Sequence, residues 1–353
     1  MRKFVGVRLV QANGLDLKLF QFDWDLTFAV FFLNADRTIY GRFGTRSHHE
    51  DAERDISLEG FNKAMAGALE LHRDYAAVKA SLAGKTGPAP RHERPEQYPT
   101  LRQFRPTFDF AAKGHNCMHC HQLGDAERQV YRTAGKPIPD EALFPYPMPD
   151  VIGLKLDPQE KAKVVEVAAD SAAAKAGLKR GDELVSLEGQ PLLSIADVQW
   201  VLHNVRDNGT EPAKLKAKAR RGGETVDVSL TLEQGWRRRG DISWRATSWE
   251  LRRMATGGLV LEELPEAARR KLALDADALA LRVKYVGQFG PHAVGRDAGF
   301  RVGDVIIQFD KLKDRATESQ LLAWAVQNLK PKDRPAVTIL RGNQRMELRL
   351  LQQ

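Results

Sequence analysis

The chain's only two cysteines, Cys117 and Cys120, stand in one short run, Gly114-His115-Asn116-Cys117-Met118-His119-Cys120-His121. Two thiols three residues apart, with three histidines around them, open three kinds of chemistry. Thiolate and imidazole are soft enough to hold zinc or copper, with His115, His119 and His121 completing the set. The pair can also cycle between dithiol and disulfide, as in a thiol-disulfide oxidoreductase. The third possibility is a pair of plain buried thiols. Because both cysteines are used here, a disulfide-dense scaffold and a self-contained four-cysteine metal site are excluded.

The run Cys117-Met118-His119-Cys120-His121 resembles the attachment motif of c-type cytochromes. The resemblance implies covalent haem c, with Cys117 and Cys120 forming thioethers and His121 as proximal iron ligand. A second ligand would come from Met148, within FPYPMPD (144–150), or from His115, with His119 beside the attachment turn. A methionine there favours electron transfer, and an open position favours sensing or peroxide chemistry. Covalent haem is fitted outside the cytoplasm, so a periplasmic or other extracytoplasmic location is implied. The opening MRKFVGVRLV places Arg8 inside what would be a signal's apolar core, so an export sequence is expected upstream. No apolar run approaches the roughly 18 residues that span a bilayer.

Other chemistry is absent from the sequence. There is no Gly-rich dinucleotide loop, no Walker motif, no HExxH and no nucleophile elbow. His72 lies near Asp74 without a serine in a tight Gly-rich turn to serve. The net charge of +8 comes from basic residues spread along the chain without a nucleic-acid motif, so no nucleic-acid partner is expected. These absences point away from an enzyme.

The elements around the cysteines divide the chain. Apolar runs at 4–10 and 28–34, a turn at Asn34-Ala35-Asp36, and a run at 38–44 read as strands. Ser57 caps a helix whose stripe is Phe61, Met65, Ala68, Leu69 and Leu71. That order resembles the C-terminal part of a thioredoxin-like domain over residues 1–82. The family's proline is absent before the 28–34 strand, which Asp25-Leu26-Thr27 enters, and its cysteine-bearing helix would precede Met1. Pro88, Pro90, Pro95, Pro99 and Pro106 then mark a linker.

The second half holds an internal repeat. AGLKRGDELVSLEG (176–189) and AGFRVGDVIIQFDK (298–311) align without gaps at an offset of 122 residues. Gly177 and Gly181, like Gly299 and Gly303, suit tight backbone between a short helix and a strand. Leu184, Val185 and Leu187, and in the second copy Val305, Ile306, Ile307 and Phe309, supply a small core. The pattern resembles the bacterial PDZ family over about 85 residues per copy. In that family a loop and the following strand take up a partner's C-terminus or an exposed strand by β-augmentation. The resemblance implies an edge at Gly153, Leu154, Lys155 and Leu156 facing Val198, Val201 and Leu202. In the second copy Gly258, Leu259, Val260 and Leu261 would face Leu321, Trp324 and Ala325, although Lys311 replaces Gly189 and a helical insertion (266–274) precedes the repeat. Between the modules, GWRRRGDISWRATSWELRR (235–253) holds three of the six tryptophans among arginines, read as aromatic packing flanked by solvated cations.

The expected fold class is therefore multidomain α+β: a partial thioredoxin-like α/β unit (1–82), a linker with a short haem-attachment segment (83–150), a PDZ-like β-sandwich or barrel module (151–235), a Trp/Arg-rich linker (236–256) and a second PDZ-like module (257–353). The expected function is an exported redox-linked adaptor carrying haem c and binding proteins through its modules, with a possible redox partner. The alternatives are a non-enzymatic PDZ scaffold with a structural zinc or copper site or a disulfide, and a thiol-disulfide oxidoreductase.

Overall fold

The computed structural model describes residues 3–51, 53–107, 117–206 and 211–353. The chain is mixed α+β, with four separate sheets among the described residues. It divides into two compact units: Met1–Cys120 with Phe144–Gly240, and His121–Leu143 with Asp241–Gln353.

The first unit combines an N-terminal layer with the first repeat module. The layer is a hairpin of strands Val30–Leu33 and Ile39–Phe43, followed by helix Leu58–Arg73. The hairpin turns where the sequence places Asn34-Ala35-Asp36: Arg37 N–H donates to the Asn34 carbonyl, and Asp36 accepts from Thr38 N–H. Ser57 caps the helix by accepting from Gly60 N–H. Phe32, Tyr40, Phe43, Ala64, Ala68, Leu82 and Leu193 form its core.

This layer is not thioredoxin-like. Its sheet has two antiparallel strands, and residues 4–10 join no sheet, with Val5 95% and Val7 82% exposed. The 4–10 run has strand-forming residues but no sheet edge beside it, and an unpartnered strand leaves its backbone groups to water.

The first module carries strands Leu154–Leu156 and Val164–Val167 in one sheet and Glu183–Leu187, Gln190–Pro191, Ala213–Arg221 and Glu224–Leu232 in another. Helix Ile195–Asn204 completes it. The second unit has a five-stranded sheet, with strand Leu259–Glu263 at one edge, and helix Glu318–Asn328.

The repeated Gly-Asp has a local physical cause. Asp182 accepts the Lys179 N–H at 2.8 Å and a two-pronged contact from Arg221 at 2.7 Å on each oxygen. Arg221 also donates to the Gly177 carbonyl. In the second module Asp304, Arg301 N–H, Arg341 and the Gly299 carbonyl make the same knot, at 2.7 to 2.8 Å. Each knot ties the Ala-Gly turn to a distant strand, and forked guanidinium-carboxylate pairs are among the stronger polar contacts.

The Trp/Arg-rich stretch folds as parts of both units. Trp236 sits in the first unit's core, and Arg237 donates to the carbonyls of His203 and Val205. Residues Ser248–Thr256 form a helix in the second unit, where Trp249 stacks on His292 at 5.0 Å.

Candidate peptide-binding site

Strand Leu154–Leu156 is paired on one side only, with Leu154 opposite Val167 and Lys155 opposite Glu166. Among the described residues its other edge carries no strand. A cleft of about 480 Å³ runs along this edge, lined by Gly153, Leu154, Lys155 and Leu156, by Met148 and Ile195, and by residues of the 47–55 segment.

The turn that opens the strand is set by Gly153. Its φ of +84° lies in the left-handed region, and a Cβ would stand 2.1 Å from Ser171 Cβ. The Gly153 N–H donates to the Asp150 carbonyl, and its own carbonyl accepts from Ala168 N–H. Only glycine fits both the dihedral and the close approach.

The helix that walls the cleft is held from behind. Every residue from Ile195 to Leu202 is buried. Asp197 Oδ1 contacts Lys85 Nζ at 2.7 Å, both side chains being fully buried, and Asp197 also accepts from the Arg42 and Leu193 N–H groups. The Trp200 indole donates to the Gly84 carbonyl, and the Arg42 guanidinium lies 3.6 Å from the Trp200 ring centre. Burial pushes the Lys85 ammonium pKa down, with Asp197 opposing the shift.

The structure separates the expected groove residues. Gly153 to Leu156 line the cleft, and Leu154 and Leu156 also join Val198, Val201 and Leu202 in the module's hydrophobic core; the three helix residues are not among those lining the cleft. Ile195 and Met148 take the wall instead. Met148 lines the cleft, and its Sδ lies 3.2 Å from the Thr45 hydroxyl. Sequence reading missed Ile195, although it is the first residue after the Ser194 cap.

The second module has the same parts in a different state. Helix Ser248–Thr256 packs against both strand Leu259–Glu263 and helix Glu318–Asn328, with Leu251, Met254 and Ala255 fully buried. Glu318, the first residue of its helix as Ile195 is of the other, accepts the Leu261 N–H at 2.7 Å. Arg252 also grips that carboxylate, at 2.9 Å to the same oxygen and 2.6 Å to the other. Leu261 N–H would pair with an added strand, and here an internal carboxylate occupies it. Leu259, Leu261 and Leu321 are buried and Trp324 packs edge-on against Phe309, while Gly258 has a Cβ position 2.0 Å from the His292 carbonyl oxygen.

Within the cysteine motif, Met118 holds the chain to residues 12–13. Met118 is fully buried, its N–H donates to Asn13 Oδ1 at 2.8 Å and its carbonyl accepts from Ala12 N–H at 2.9 Å. Cys117 and Cys120 are free, half-buried thiols, and burial pushes the Cys120 thiol pKa up, away from the reactive thiolate. His121 opens helix His121–Thr133. His115 lies outside the described residues. Among those described, no group of three or more His, Cys, Asp or Glu could hold a metal ion.

Comparison with known proteins places a PDZ domain at residues 163–208. The chain is 29% identical over 179 residues to a probable periplasmic serine endoprotease DegP-like of Pseudomonas savastanoi pv. phaseolicola, covering 51% of this chain and 34% of that protein. It is 38% identical over 92 residues to periplasmic serine endoprotease DegP of Escherichia coli K12, covering 26% of this chain and 18% of that one. A 76-residue stretch is 41% identical to the regulator of sigma-E protease RseP of Salmonella typhimurium, 21% of this chain and 15% of the relative. Among solved structures, HtrA-type protease AlgW with decapeptide aligns at 16% identity and a TM-score of 0.24, over 42% of this chain and 52% of that one. The chain thus spans about a third or less of these curated relatives' length.

These relatives correct two expectations. As functions, the redox-linked haem adaptor, its zinc, copper or disulfide scaffold alternative and the oxidoreductase reading give way, because DegP and its Pseudomonas counterpart are serine endoproteases. The expectation of no enzyme is overturned by the same relatives. A motif search could not see that relationship, since the family match falls on a PDZ module, which carries no hydrolytic signature. DegP and its Pseudomonas counterpart are periplasmic by name, and among the described residues no helix is long and apolar enough to cross a membrane.

Proposed function

We propose that this chain works in periplasmic proteolysis and that its first PDZ module receives the substrate, taking an extended segment or C-terminus along strand Leu154–Leu156. The observation that carries this reading is the unpaired strand edge lining the cleft. A sheet edge with free N–H and C=O groups accepts one more strand, and the apolar walls offered by Leu154, Leu156, Met148 and Ile195 accept its alternate side chains. The module's family and its endoprotease relatives support the setting.

The test is fluorescence anisotropy with labelled apolar peptides, as free acids and as C-terminal amides, titrated with the full chain. Saturable binding that is lost on Leu156→Pro, which removes an edge N–H, is the expected result. Binding that is unaffected by Leu156→Pro, or absent for every peptide, would sink the proposal.

A further inference from the structure

The cleft's charge runs against that of the chain around it. The whole chain carries a formal +8, yet the charged residues lining the cleft are four carboxylates, Asp51, Asp55, Asp150 and Glu166, against Arg54 and Lys155. Asp51 is ion-paired with Arg54, and Lys155 stands opposite Glu166 in the strand register. Asp55 differs from these. It is half-buried, and among the described residues it accepts from neutral donors alone, Ser47 N–H at 2.5 Å and Ser47 Oγ at 2.8 and 2.9 Å. Those bonds fix the carboxylate's orientation, and among the described residues no cation forms an ion pair with it.

We infer that Asp55 is a specificity-determining residue of the first-module cleft and selects extended peptides that place a lysine or arginine against the wall lined by Ser47, Asp51 and Asp55. The inference rests on the peptide-binding reading above. A basic peptide is repelled by the chain's net charge at long range, so any preference for it must arise locally, within a Debye length of the cleft. A carboxylate that is already oriented adds attraction without the entropy of ordering a free side chain. A half-exposed pair of this kind is worth about a two- to fivefold gain in affinity.

The experiment uses the full chain and a series of apolar peptides that differ at one scanned position, Lys, Gln or Glu, read by anisotropy at low and high salt. The expected result is that Lys binds about two- to fivefold tighter than Gln at one position or more, that Glu binds more weakly than Gln, and that salt reduces the spread. Asp55→Asn keeps an oxygen to accept from Ser47 and removes the charge, so it should equalise Lys and Gln without unfolding the segment. Equal binding of the three peptides by the unaltered chain overturns the inference and leaves the groove reading standing. A lysine preference that survives Asp55→Asn overturns the assignment to this residue. If no peptide in the series binds, the groove reading fails and this inference goes with it.

Discussion

Gly153 shows how little space separates an open cleft from a closed one. Gly153→Ala forces a left-handed dihedral on a residue with a Cβ and drives that atom into Ser171. The expected outcome is a loss of about 1–3 kcal/mol in chemical denaturation together with lost peptide binding; a variant of normal stability and affinity would refute the role given to this turn. Asp182 sets a pH dependence. Arg221's hydrogen bonds hold its carboxyl below the ordinary value of 3.8, outweighing the opposing effect of burial. The native state therefore binds that proton less readily than the unfolded chain, and the stabilisation present at neutral pH is lost as the pH falls below about 4. Asp182→Asn should lower the urea midpoint at pH 7 and flatten its decline toward pH 3. Parallel pH profiles for the two proteins would contradict this. Both residues were visible in the sequence as part of GLKL and Gly-Asp motifs. Arg221 and Arg341 were not, because nothing in the local sequence says which strand returns beside the turn.

At the scale of elements, helix Ile195–Asn204 is the part on which the cleft depends most. Its existence follows from the Ser194 cap and its apolar content, but its burial on the sides away from the cleft comes from the N-terminal layer. A buried ion pair contributes little net stability against apolar replacements, whereas removing one partner strands the other charge. Asp197→Ala is therefore expected to cost about 3–5 kcal/mol, and Lys85→Met combined with Asp197→Leu to cost less than Asp197→Ala alone. Denaturant unfolding of the two variants checks this, and additive losses would rule out the pairing described here. The expected groove faces shifted for the same reason. With the layer behind it, the helix packs Val198, Val201, Leu202 and Ile195 into one core, and of these Ile195 also lines the cleft.

Across the whole molecule the two modules share a motif and differ in state. In the first, an apolar Ile195 stands beside a free strand edge; in the second, Glu318, Arg252 and helix Ser248–Thr256 occupy the corresponding edge. Calorimetric titration with a bound peptide should accordingly give one site per chain. A stoichiometry of two for the unaltered chain would show that the second edge opens readily. The resemblance of 1–82 to a thioredoxin-like unit failed at this scale too, since strand-forming residues at 4–10 have no neighbouring edge to join.

The sequence by itself determined the repeat, the PDZ character of the first module, the hairpin turn, and the caps of helices Leu58–Arg73 and Ile195–Asn204, because each rests on local spacing, dihedral preference or capping chemistry. It also drew attention to the Cys117–His121 run by local spacing alone. Only the tertiary structure decided which edge is free, which is filled from within, that Met148 lines a cleft, and that Asp55 faces it. Those features depend on residues tens of positions apart being packed together, and one-dimensional spacing carries no record of that packing.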